Sequence, residues 1–215
     1  MSWLLIALCL LTQAEGLSVL RLYPVDDTAR DPAFSRFVKR LRSAVEARNT
    51  DALRKLVDNE VVVGPAAEDT GWAQFYARWR PDDVDSDLWP VLSDLLALGF
   101  IREHPTLFLS PYLVWRFPRD LNMATHLVVV RDKVALRATP SLRAPAPASV
   151  SFEIVEQLGQ PESGEGLGQW VLVRTVDGER GYLNTRDVMS PLMPRAQFGI
   201  RRGRWNLIAL EAQGR

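Results

Sequence analysis

The strongest constraint on this 215-residue chain is a change of period near Thr125. Before it, most apolar residues recur three and four positions apart, the spacing of one helix face; after it they alternate throughout in short runs separated by turn residues. Helical patterns followed by strand patterns give an α+β fold or two packed regions, not a doubly wound sheet.

The helical half carries its own punctuation. Asp31-Pro32 supplies an N-cap and a first-position proline, and Phe34, Phe37, Val38, Leu41, Ala44 and Val45 then fall on one face. Asn49 is a stop signal, since asparagine tolerates the left-handed conformation, and Thr50 or Asp51 caps a second helix through Ala52, Leu53, Leu56 and Val57. The following Glu60-Val61-Val62-Val63-Gly64 changes period and predicts a strand. Trp72, Phe75, Tyr76 and Trp79 make one helical stripe, a shape shared by carbohydrate platforms but characteristic of core. Phe100 to Phe117 alternates and predicts a strand or two, with Pro111 at an edge or bend. Preceded by an arm or strand from Leu17 to Val25, residues 18–122 are expected to form one α+β domain, a helix pair against a curved antiparallel sheet.

Asp83, Asp85, Asp87 and Asp94 occupy positions 1, 3, 5 and 12 of a calcium-loop template. Leu88 stands where its sharp turn needs glycine, so a helix from Leu88 to Leu98 capped by Asp87 or Ser86 is the simpler reading.

After Thr125 the pattern is β throughout. Asp177-Gly178 predicts a two-residue type I′ hairpin turn. On the strand before it, Val171, Val173 and Thr175 share one face and Trp170, Leu172, Arg174 and Val176 the other. Residues 194–215 predict a final hairpin turning near Arg202-Gly203, with Trp205 opening the return strand.

From Leu127 to Met189 the chain resembles the bacterial SH3 domain family. The carriers are Val134-Ala135-Leu136-Arg137-Ala138-Thr139-Pro140-Ser141 and the stretch from Trp170 to Val188. Ala135 stands where that family has asparagine, and Thr139 where it has glycine. The resemblance implies a small β-barrel over residues 125–190 that binds extended segments in an aromatic-lined groove, where Trp170 and Tyr182 are the candidate contacts, although in this family such residues are more often barrel core, and Arg137 and Arg174 are their polar neighbours. The helix pair together with the final hairpin faintly resembles the NTF2-like cone. That implies a barrel inserted before the first domain's last strands, and a small-molecule or catalytic pocket in the cone.

The first 14 residues, apolar and too short to span a bilayer, are expected to be a signal peptide, although no Lys or Arg precedes the apolar run. Cys9, the single cysteine, lies within it, so the mature chain would have no thiol chemistry and no disulfide. Lys+Arg and Asp+Glu number 26 each, a balance that removes general attraction to nucleic acid. Charge is uneven: Asp82 to Asp94 is acidic, and Arg195, Arg201, Arg202 and Arg204 cluster near the end, two faces expected to be solvated or to meet across a domain contact.

His104 and His126 lie apart without metal spacing, no nucleophile motif is present, and Asp82, Asp83 and Glu103 are acids that nothing in the sequence distinguishes. The Gly-rich Ser163 to Gly168 has the wrong spacing for a dinucleotide turn and reads as a flexible loop. No cofactor or metal is expected. The sequence therefore points to an exported, periplasmic or secreted, non-catalytic envelope protein that binds peptidoglycan or a partner protein, with no membrane span after cleavage. The alternative is a small-molecule carrier or enzyme built on the cone.

Overall fold

The computed structural model describes residues 20–166 and 168–212. The expected signal peptide, Cys9 and the last residues of the final hairpin lie outside this range.

The fold is α+β. Helix α1 (Pro32–Glu46) starts where the sequence predicts: the Asp31 carboxylate accepts the Ala33 and Phe34 N–H groups at 2.8 and 2.9 Å. Its end differs from expectation. Arg48 takes the left-handed conformation (φ 45°), while Asn49 is extended (φ −94°) and accepts the Ala52 N–H at 2.8 Å, capping α2 (Thr50–Arg54). Asparagine's short acceptor is thus used to satisfy the next helix's free donors. There follow β1 (Val57–Val62), α3 (Trp72–Trp79), α4 (Leu88–Ala97), β2 (Ile101–His104) and β3 (Leu107–Ser110). Ser86, not Asp87, caps α4, its Oγ accepting from the Leu88 N–H at 3.2 Å and donating to the Trp79 carbonyl at 2.7 Å.

The expected strand after Pro111 is instead a short helix, α5 (Tyr112–Trp115). Tyr112, Leu113 and Val114 are all buried, which a strand with one solvent face could not achieve.

The β half comprises β4 (His126–Val129), β5 (Val134–Leu136), β6 (Ala148–Val150), β7 (Ile154–Gln157), β8 (Glu162–Ser163), β9 (Gln169–Arg174), β10 (Arg180–Asn184) and β11 (Val188–Met189), followed by the hairpin β12 (Arg195–Arg201) and β13 (Arg204–Glu211). That hairpin joins the first half's sheet, whose order is β1-β13-β12-β3-β2. Its turn residues, Arg202 (φ 50°) and Gly203 (φ 73°), both have the positive φ that a two-residue type I′ loop requires. The sheet is mixed, not antiparallel, because β1 runs parallel to β13. The parallel pair begins just after α2, where the Leu56 carbonyl accepts from the Leu207 N–H at 2.9 Å.

Helices α1 and α4 cover this sheet over an aromatic core. Phe34 stacks on Phe108 at 3.7 Å between ring centroids and lies 5.0 Å from Trp205, with Phe100 at 5.3 Å, Phe37 at 5.8 Å and Phe198 at 5.9 Å. Of the stripe on α3, Phe75 and Trp79 join the core, Trp72 is half-buried and Tyr76 is exposed.

In the β half the ladders run β10-β9-β7-β4-β11, with β8 added to β9 and the pair β5–β6 packed across. The ladder does not close into a ring as the expected barrel would. The three-residue β5 ends before reaching β10, and a single bridge between Arg137 and Tyr182 spans the gap. The turn at Asp177-Gly178 also differs from the two-residue form. Only Gly178 has positive φ, and Thr175 and Glu179 close a three-residue loop through Thr175 N–H to the Glu179 carbonyl at 2.9 Å.

A third apolar cluster joins the halves, with Ile101, Tyr112, Leu113 and Phe117 from the first meeting Val128 and Ile154 from the second. The arm before α1 crosses the same seam: Leu22 N–H donates to the Phe152 carbonyl at 2.7 Å and Ile154 N–H to the Leu20 carbonyl at 2.9 Å. Among the described residues no helix is long and apolar enough to cross a membrane.

Candidate functional site

The alternation on β9 places Val171 and Val173 in the β half's core, and Trp170, Leu172 and Arg174 on the opposite face. On β10, Asn184 stands opposite Trp170 and Tyr182 opposite Leu172, so Trp170, Arg174 and Tyr182 share that outer face. Arg137 joins them through paired backbone hydrogen bonds with Tyr182, of 3.1 and 2.7 Å.

Trp170 is nevertheless only 1% exposed. The segment carrying β8 lies over the indole, and Gly164 permits the approach: a Cβ there would stand 2.5 Å from Trp170 Cδ1 and 2.2 Å from the Pro140 carbonyl oxygen. The segment expected to be a flexible loop is pinned around Glu165. Its N–H donates to the Pro140 carbonyl at 2.8 Å, and its carboxylate accepts from Ser141 Oγ at 2.6 Å and pairs with Arg143 at 3.2 Å. Beneath this cover the Trp170 Nε1–H finds no acceptor among the described residues.

A cleft of about 270 Å³ opens beside Trp170, bounded by Lys133, Ala135, Arg137, Leu142 and Asn184. Its acids are engaged: Asp187 pairs with Arg131 at 3.3 Å, and Asp132 accepts from Ser151 Oγ at 2.8 Å. Arg137 spends one Nη on the Ala144 carbonyl at 2.8 Å, and the Lys133 ammonium has no partner among the described residues. The cleft therefore offers cationic donors at its rim, with Trp170 in its lining.

The residues expected from the sequence divide. Trp170 and Arg137 line the cleft; Arg174 and Tyr182 do not. Arg174 grips Glu156 through Nε at 2.8 Å and through Nη2. The Tyr182 phenol is held above the ordinary tyrosine value, first by desolvation and then by its hydrogen bond to the Glu162 carboxylate. Lys133, Leu142 and Asn184 were not singled out by sequence. Only Lys133 carried a signal, as the cation of a short polar turn between two apolar strands.

Other candidates are dispersed. The Asp82 carboxylate accepts from Thr50 Oγ1 at 2.6 Å and Tyr76 Oη at 2.7 Å, Asp83 pairs with Arg80 at 2.9 Å, and no described contact joins either to Glu103. Arg195 pairs with Glu211 and Arg201 with Asp58, so the acidic and basic stretches do not meet as a domain contact. His104 and His126 bond to near neighbours in sequence, Thr106 for the first and Asn122 and Thr125 for the second. Among the described residues no group of three or more His, Cys, Asp or Glu could hold a metal ion.

No protein-family profile matches the chain, and no curated protein matches it. Among solved structures, a designed NTF2-like protein matches at 12% identity and a TM-score of 0.29, covering 86% of this chain and 96% of that one.

Proposed function

We propose that residues 126–189 act as an SH3-like recognition module of an exported, non-catalytic envelope protein, and that the cleft beside Trp170 holds a peptidoglycan peptide or an extended segment of a partner protein. The observation that carries this reading is Trp170, which lines a cleft with a cationic rim and whose buried Nε1–H has no acceptor among the described residues. An unmet buried donor costs about 1–3 kcal/mol, which a ligand carbonyl entering the cleft would recover. Lys133 and Arg137 would then take a carboxylate, a group that peptidoglycan stems and acidic peptide segments both present. The first half offers less to a small molecule, since the helix-covered side of its sheet is filled by packed aromatic rings.

Co-sedimentation with purified peptidoglycan tests the reading. The double variant Lys133→Ala/Arg137→Ala should bind at least about tenfold more weakly, and Trp170→Phe, which keeps an aromatic ring but removes the donor with the pyrrole part of the indole, a few-fold more weakly. Absence of the parent protein from the pellet, or equal pelleting of all three, would overturn peptidoglycan as the ligand.

A further inference from the structure

Along the outer flank of α1, two grooves of about 540 and 500 Å³ share Lys39 and Arg40 and so run on from one another. Their apolar walls are Trp205 and the half-exposed Ile200 at the β12–β13 turn, then Ala44, Ala52 and Leu56. Their rim is cationic, made by Arg36, Lys39, Arg40 and Arg204, and none of these side chains has an ion-pair or hydrogen-bond partner among the described residues. The single lining acid, Asp31, is occupied as the N-cap of α1. Elsewhere on the surface arginines are commonly paired, as in Arg80–Asp83, Arg131–Asp187 and Arg195–Glu211. An apolar groove between free cations selects an apolar residue flanked by carboxylates.

The chain carries such a segment. Val84 is 80% exposed and lies between Asp83 and Asp85, with Asp87 beyond. The Asp85 and Asp87 carboxylates have no partner among the described residues. Asp82, tied to Thr50 and Tyr76, fixes the base of the loop. With 26 cationic and 26 acidic side chains in the chain, two copies meet without net repulsion.

We infer that the occupant is a second copy of this chain, with Val84 of one copy seated in the α1 groove of the other and Asp85 and Asp87 against its Arg36, Lys39 and Arg40. The arrangement is reciprocal. Asp82 is bonded to Thr50, and the groove ends at Asn49 and Ala52 on either side of that residue, so loop and groove adjoin on one face. Adjoining complementary patches are satisfied twice over by a two-fold axis, giving a closed dimer in preference to an open filament.

Sedimentation velocity over roughly 10 to 300 µM at low salt tests the inference. The protein should dimerise with concentration and dissociate as salt shortens electrostatic range. D85R/D87R and R36D/R40D should each weaken association at least about tenfold, and an equimolar mixture of the two should recover it, because each copy then presents the charge the other needs. Recovery in the mixture also establishes that both variants are folded. A parent that remains monomeric throughout, or association that neither reversal weakens, would overturn the inference, as would variants that fail to associate when mixed while each retains the parent's circular dichroism.

Discussion

The two halves fill their interiors with different material. Under α1 and α4 the core combines aliphatic residues with a group of rings, Phe34 touching Phe100, Phe108, Phe198 and Trp205. In the β half the cluster is valine and leucine alone: Val129, Val134, Leu136, Val150, Val155, Val171, Val173, Leu183 and Val188. A helix laid across a sheet leaves space that large rings fill, whereas β5–β6 packed across short, bent strands admits only compact branched side chains. The difference locates the candidate site. An indole as large as Trp170 is absent from the valine cluster and is buried instead on the outer face of β9, where β8 must cover it and where a cleft can open beside it.

Breaking each core in turn tests that contrast. Phe108→Ala, at a fully buried ring stacked on Phe34, should lower unfolding free energy by about 3–5 kcal/mol in urea titration. Val173→Ala, equally buried, should cost about 2 kcal/mol because fewer methyl groups are lost. The seam of Tyr112, Leu113, Val128 and Ile154 predicts that both variants shift one common transition. Two separated transitions would show instead that the halves unfold independently.

A smaller effect is expected where the indole's cover is tightest. Gly164→Ala places a Cβ against Pro140 and Trp170, at a cost of about 1–3 kcal/mol, and should alter tryptophan emission as the segment lifts. Unchanged emission and stability would mean that Gly164 is free to move away from the indole.

The mildest test concerns Tyr182. Removing the carboxylate with Glu162→Gln should bring the phenol's titration, followed by ultraviolet absorbance, back toward the ordinary value without reaching it, since desolvation is the larger cause. The sign is fixed by the direction of the shift. A phenol whose folded value is raised holds its proton more tightly in the native state, so the parent's advantage over the variant is present at neutral pH and is lost as pH rises past the unfolded phenol's value and through the folded one.

What could be read beforehand was whatever is decided by neighbours in the chain. Asp31-Pro32 announces α1 because capping is local, and Arg202-Gly203 announces its turn because positive φ is a property of those two residues. Asp177-Gly178 marked a turn but not its length, which Thr175 sets by accepting the Glu179 N–H on its Oγ1 at 3.1 Å. The parallel pairing of β1 with β13 was not legible, since its partner is supplied by the far end of the chain. In the candidate site, Trp170 and Arg137 stood out as an aromatic and a cation in a recognisable strand context. Glu162 and Gly164 did not, because a two-residue strand leaves no periodicity to detect.

The placement of β12 and β13 also fixes a timetable. They are central strands of the first half's sheet, yet they leave the ribosome only after the whole of the β half. Until then β1 has no partner on the sheet's other side, β3 has an open edge, and Phe34 and Phe108 lack Phe198 and Trp205. The β half, whose strand ladders are internal to residues 126–189 and whose one outside partner, the arm at Leu20 to Leu22, is made earlier, can be complete while the helices that preceded it still wait. Birth order and finishing order are therefore reversed, and the nascent protein carries an unfinished aromatic face through most of its synthesis.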